Sequence, residues 1–224
     1  MQVIDKLNAG ISVWGEGKIP PNKPNNTPTD IWLQDFINSQ RANYNSLNDF
    51  AILLENELRL HIAPINVKND PLGTIGFHLA GFVDYNGIDT PTFYHIHNGI
   101  SQALSARGVT VNPTIVNANH DLPPSIAQQA LSKGIIYLTR NGDFTIYAAL
   151  FQYLDAFLKK LSVYGVLTIP HSRNLRDRAE WLRFQIGTMS ELYRLSNLHL
   201  PTIGGKIDTL LITPSSVDKC GLTI

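Results

Sequence analysis

An α+β fold, with antiparallel strands layered against helices that come in pairs, follows from two observations. The first is residues 74–100, which read TIGFHLAGFVDYNGIDTPTFYHIHNGI. Two runs of strand-forming residues flank Asn86-Gly87, the strongest short hairpin signal a sequence offers. Ile75, Phe77, Leu79 and Val83 alternate with Gly76, His78, Ala80 and Phe82. Phe93, His95 and His97 alternate with Thr92, Tyr94 and Ile96. A period of two sends alternate side chains to opposite faces. Neither face is uniformly polar, so both are expected to be covered. The second observation is the order of elements: strand, two helices, hairpin, strand, two helices, strand. Paired helices argue against a doubly wound parallel sheet and for α+β layers.

Taken in order, Val3-Ile4 forms a first strand, residues 5–8 a turn, and Ala9, Ile11 and Val13 one face of a second strand, ended by Gly15 and Gly17. Residues 18–26, with three prolines and three asparagines, read as a loop without a core. Thr27 is expected to cap a helix with Pro28 at its first position. That helix buries Trp32, Leu33, Phe36 and Ile37, and a polar break over 38–45 follows. Ser46 opens a second helix with Asp49 in its first turn and a stripe of Leu47, Phe50, Ala51, Leu54 and Leu58. Beyond the hairpin, Asn112-Pro113 and Pro123-Pro124 mark turns, 125–131 a short helix and 135–139 a strand.

Two long helices come next. The first carries Ile146, Ala149, Leu150, Tyr153, Leu154, Phe157, Leu158 and Leu161 on one broad face, with Asn141 or Asp143 as cap. The second starts near Asn174 and carries Leu175, Ala179, Leu182, Ile186, Met189 and Tyr193. Off these lines lie Phe144, Tyr147 and Phe151 on the first, and Trp181, Phe184 and Leu192 on the second. Helices apolar over so much of their circumference call for a second partner, so a homo-oligomer joined through them is expected. Residues 207–213 and 217–224 supply the last strands.

The 224 residues are read as one domain over 1–224, with a 43% hydrophobic composition normal for a globular protein. Eighteen basic and eighteen acidic residues cancel, so no electrostatic case for nucleic acid or an acidic membrane arises. The lone cysteine, Cys220, excludes an internal disulfide framework and a cysteine-rich zinc site, and fits a cytoplasmic location. No apolar run is long enough to span a bilayer, and the first residues do not have a signal peptide's pattern. No phosphate loop and no cofactor motif occur.

Two constellations bear on chemistry. His95 and His97 share one strand face, and a two-residue turn at Asn86-Gly87 sets His78 across from His95 and Asp84 across from Asp89. Metals use such spacing. The competing and favoured reading is histidines packed inside a layered domain, with no metal. Asn141, Gly142 and Asp143 stand at a helix start, either as an ordinary cap or as a site where free backbone N–H groups favour an anion. Asp84, Asp89 and Asp208 are isolated carboxylates and make no acid–base pair.

Against this background the chain resembles the proteasome-like branch of the N-terminal nucleophile hydrolases over nearly its whole length. The opening strands through Gly15 resemble the family's strand ending at its oxyanion-hole glycine. GFHLAGF, residues 76–82, is similar to its "hydrophobic-Ala-Gly" strand, and TFYHIHNGI to the hairpin return. RNGDFTIYAAL, residues 140–150, resembles the loop entering its third helix, and IGGKIDTLLIT, residues 203–213, its Gly-Gly strand. The resemblance implies an αββα four-layer sandwich, two antiparallel sheets between helix pairs, here N-terminally incomplete. It also implies that Gly15, Asn141, Gly142 and Asp143 line the site.

The family's nucleophile heads the mature chain, where its own α-amino group acts as base. Here Met1 and Gln2 stand where the family's lysine is expected, and Leu200 and Ile203 where Asp and Ser support the amine. Ser12 lies inside a strand and Thr27 reads as a cap. The expectation is therefore a chain inactive by itself. It is either a hydrolase lacking its first strands, with a peptide or amide substrate once an upstream segment restores the nucleophile, or a non-catalytic assembly subunit.

Overall fold

The computed structural model describes residues 1–15, 17–19, 25–61, 75–97, 117–135, 145–166, 174–195 and 208–219. The chain divides into two compact units, Met1–Thr139 with Ile212–Asp218, and Arg140–Leu211 with Lys219–Ile224. Helices and antiparallel strands are both present, as the α+β class requires.

The first unit is built on one five-stranded antiparallel sheet. Its strands are β1 (Gln2–Ile4), β2 (Ala9–Gly15), β5 (Ile75–Tyr85), β6 (Ile88–His97) and β7 (Asn117–Leu122), in the order β1-β2-β5-β6-β7. β5 is therefore central, with β2 and β6 as neighbours. Asn86 and Gly87 both take positive φ, 57° and 75°, which is the twist a two-residue hairpin turn needs. Asp84 Oδ1 accepts the Gly87 N–H at 2.8 Å and holds the turn. The expected register follows: His78 pairs with His95, and Asp84 with Asp89.

One face of this sheet carries α1 (Thr29–Ser39) and α2 (Leu47–His61). Ile11, Phe77, Leu79, Tyr94 and Ile96 from the strands meet Leu33, Phe36 and Ile37 of α1 and Leu47, Phe50, Ala51, Leu54 and Leu58 of α2 in a single buried cluster. Fully burying a side chain of this size stabilises by about 1.5–3 kcal/mol. The α2 stripe is the one its periodicity predicts. Gly81 lies under this helix. A Cβ there would come 3.0 Å from Leu47 Cδ1 and 3.1 Å from Ala9 Cβ, so the glycine lets helix and sheet approach. Ser46 and Asp49 cap α2 reciprocally: Asp49 N–H donates to Ser46 Oγ at 3.1 Å, and Ser46 N–H to Asp49 Oδ2 at 3.0 Å. Backbone donation from Asn45, then the Ser46 hydroxyl, holds the Asp49 carboxyl below its ordinary range. α3 (Pro124–Ser132) packs against β6 and β5 through buried Ala127 and Ala130, which lie outside the α1–α2 cluster.

Several expectations are corrected. The loop expected over residues 18–26 begins with a strand instead. Lys18–Ile19 (β3) pairs with Thr27–Pro28 (β4), and Ile19 is fully buried. Thr27 is thus a strand residue, and α1 begins at Thr29 after Pro28, with no side-chain cap. The 38–45 break also hides a core residue, Tyr44. Lys6 Nζ donates to the carbonyls of Arg41, at 3.0 Å, and Tyr44, and to Asn45 Oδ1 at 2.9 Å, and so secures that connection to the first hairpin. β7 was not expected at all. The expected strand over 136–139 lies outside the described residues.

The second unit contains α4 (Thr145–Val163) packed on α5 (Leu175–Leu195). Asn174 caps α5, its Oδ1 accepting the Asp177 N–H at 2.9 Å. Leu158 of α4 and Ala179 and Met189 of α5 are buried. Against expectation, Tyr153 and Phe157 of α4 and Leu175 and Ile186 of α5 are exposed, while Gln185 is buried. The apolar arc is wider than one helix–helix seam within the unit covers. A last two-stranded sheet joins Leu210–Ile212 (β8) and Val217–Lys219 (β9), with Thr213 N–H donating to the Ser216 carbonyl at 2.8 Å in the turn.

Candidate functional site

The second face of the five-stranded sheet has a different composition. The registers place three rows across it. Gly10, Ala80, Phe93 and Leu122 make the first, Ser12, His78, His95 and Asn119 the second, and Trp14, Gly76, His97 and Asn117 the third. The middle row is a line of polar positions, whereas the other face carries Ile11, Phe77, Leu79 and Ile96 at the same level of the sheet.

Ring geometry shows how these groups sit. His78 and His95 meet edge to face with centroids 5.0 Å apart, and His95 and His97 stack at 4.0 Å. Phe93 lies 5.2 Å from His78, and Trp14 5.6 Å from His95. Trp14 rests on Gly76, where a Cβ would fall 2.3 Å from the indole carbons Cε2 and Cζ2. The ring thus occupies the space a side chain would need. A β-bulge between Phe93 and Tyr94 brings in Asp121, whose Oδ2 stands 3.8 Å from His95 Nδ1. At that distance it is an electrostatic neighbour and not a hydrogen bond.

Burial fixes the charge state of these rings. Burial, aided by His97, pushes the His78 imidazole down to about 4. Burial, aided by His97 and then His78, pushes His95 down to about 3. Burial raises the Asp121 carboxyl, with His97 opposing. Trp14 Nε1 and His78 Nε2 are buried with no hydrogen-bond partner. The pair His78 and His95 is therefore neutral at pH 7. On the helix side of the same strands, Tyr94 donates to Asn48 Oδ1 at 3.1 Å, and burial lifts its phenol to about 12.

The sequence places His78, His95 and His97 on one face, and the structure brings their rings together. Among the described residues no three His, Cys, Asp or Glu side chains stand so that they could hold a metal ion. Gly15 ends β2 paired with Ile75, exposed and with φ of 87°. Asn141, Gly142 and Asp143 lie outside the described residues, as do Leu200, Ile203 and Cys220. Trp14 and Asp121 were missed by sequence reading. Trp14 carried a signal, since it alternates with Val13 and falls opposite Gly76. Asp121 had none, because its place depends on the bulge. Among the described residues no helix is long and apolar enough to cross a membrane. Compared with protein-family models, curated proteins and solved structures, the chain matches none.

Proposed function

We propose that this chain is a proteasome-like N-terminal nucleophile hydrolase domain working as an assembly subunit in the cytoplasm, with no amide hydrolysis from these 224 residues alone. The sheet β1-β2-β5-β6-β7 carries the reading. A helix pair covers one of its faces, and the other presents Trp14, Phe93 and the histidines, half-buried side chains on which a second sheet would pack face to face. A second helix pair, α4 and α5, is an element such an αββα sandwich also requires. Ser12 lies in mid-strand and Thr27 in a strand pair, and neither offers the terminal amine that this chemistry uses as base. Gly15 lines the site in this reading. No cofactor and no metal take part.

The partner in this reading is a second copy of the chain, met through exposed aromatic side chains of the long helices, Tyr153 and Phe157 on α4 and Phe184 on α5. The measurement is mass in solution for the natural chain and for Phe157→Glu with Phe184→Glu. An oligomer that dissociates in the double variant is the expected result. A monomeric natural chain, or an unchanged oligomer in the variant, removes this interface.

A second reading, a peptide or amide hydrolase completed by a segment upstream of Met1, is favoured by the exposed Gly15 with its positive φ at the end of β2. A fluorogenic peptide panel separates the two. The chain alone is expected to turn over none of it. Hydrolysis abolished by a substitution within these residues would overturn the assembly-only reading. An experimental structure in which no second sheet covers the Trp14–His78–Phe93 face removes the sandwich itself.

A further inference from the structure

We propose that the His78–His95–His97 cluster is an acid-sensitive latch, closed while His78 and His95 are uncharged and opened locally, at this face of the sheet, when they take up protons. The geometry carries this. Three imidazoles lie in direct ring contact, 5.0 and 4.0 Å between centroids, so a charge on one is placed against the next. His78 Nε2 is buried with no acceptor, so a proton added there meets no counter-group. The apolar rings of Phe93 and Trp14 close the sides.

The surrounding elements offer little compensation among the described residues. β2 contributes Ser12 and Trp14 and no titratable group. β5 and β6 contribute only the histidines at this end, with Asp84 and Asp89 away at the turn. α3 has no titratable residue, and α2 packs on the opposite face. β7 brings one carboxylate, Asp121, 3.8 Å from His95, together with His120, whose ring lies on Tyr94. His78 Nε2 itself has no hydrogen-bond partner, so a proton there is the least compensated.

The sign follows from linkage. His78 and His95 are held neutral in the folded chain, down to about 4 and about 3, whereas the unfolded chain binds protons at the ordinary histidine value. Between about pH 6.5 and pH 4 the unfolded state binds more protons, so stability falls as pH falls. Each histidine held neutral raises the opening equilibrium about tenfold per pH unit in this window, and two raise it about a hundredfold.

The test follows iodide quenching of Trp14, isolated by difference from a Trp14→Phe chain, alongside far-ultraviolet circular dichroism from pH 7 to pH 4. Trp14 quenching is expected to rise before the dichroism changes, and His78→Phe with His95→Phe to move that rise to lower pH by more than one unit. Quenching that rises only together with loss of dichroism overturns the latch, since that is global acid unfolding. If the double variant does not fold, histidine proton resonances of the natural chain decide. His78 or His95 titrating near 6.5 overturns the proposal, and both staying neutral at pH 5 supports it.

Discussion

The two faces of one sheet have opposite designs. Toward α1 and α2, the strands present Ile11, Phe77, Leu79 and Ile96, side chains with no polar group to satisfy, all almost wholly buried. Toward the other side, the same strands present Ser12, Trp14, His78, His95 and His97, and two buried ring nitrogens go without a partner. The difference teaches that the first face holds the fold together, while the second tolerates unsatisfied polar groups that cost free energy. Buried donors and acceptors without partners are rare in stable cores, and each calls for a reason. Among the described residues the α1 side has one such atom as well, Gln2 Oε1, so what sets the histidine face apart is that two of them belong to ring side chains packed together in the middle of the sheet.

The sharpest way to break this comparison uses one residue type on both faces. Phe77→Ala should destabilise by about 3–5 kcal/mol, since Phe77 is fully buried under the helices. Phe93→Ala, from a half-buried position, should cost about half as much. Urea denaturation of the two variants measures both, and equal losses would mean that the histidine face is as tightly closed as the helix face. Next in size is Gly76→Val, which drives a side chain into the indole of Trp14 and should cost about 1–3 kcal/mol. A red shift in tryptophan emission is the accompanying sign; an unchanged spectrum would show that Trp14 does not depend on the glycine. The smallest effect belongs to the helix side. Ser46→Ala should cost about 1 kcal/mol by removing the cap of α2. Its loss should be the same at pH 7 and pH 5, because the Asp49 carboxyl stays ionised across that range. A pH-dependent loss would blur the contrast with the histidine face.

Legibility in the sequence followed how local the cause was. Asn86-Gly87 sets the register of β5 and β6 through two backbone conformations, so the pairing of His78 with His95 could be read directly. The α2 stripe was legible because its period repeats over four turns beneath a reciprocal cap. Thr27-Pro28 misled because Thr before Pro is a good helix start, and only pairing with Lys18–Ile19 makes it a strand. β7 was illegible for a related reason. NANHDL has no apolar alternation, and its place comes from hydrogen bonds to β6 across a bulge. On α5, period alone put Ile186 inside, whereas Gln185 is buried and Ile186 exposed. A helix with apolar residues around much of its surface does not announce which face its neighbour takes.

The tight turn at Asn86-Gly87 also sets an order of events in time. β5 and β6 meet across two residues, so they can zip from the turn with little loop entropy to overcome. β2 meets β5 only after roughly 60 residues of intervening chain, including α1 and α2, have been gathered. The hairpin is thus the template on which the opening strands and the helix pair must later arrive. We expect substitutions in the hairpin turn to slow folding and substitutions in β1 to speed unfolding. Stopped-flow refolding of Gly87→Ala and Val3→Ala would show it, and a β1 variant that slows folding more than the turn variant would reverse the order.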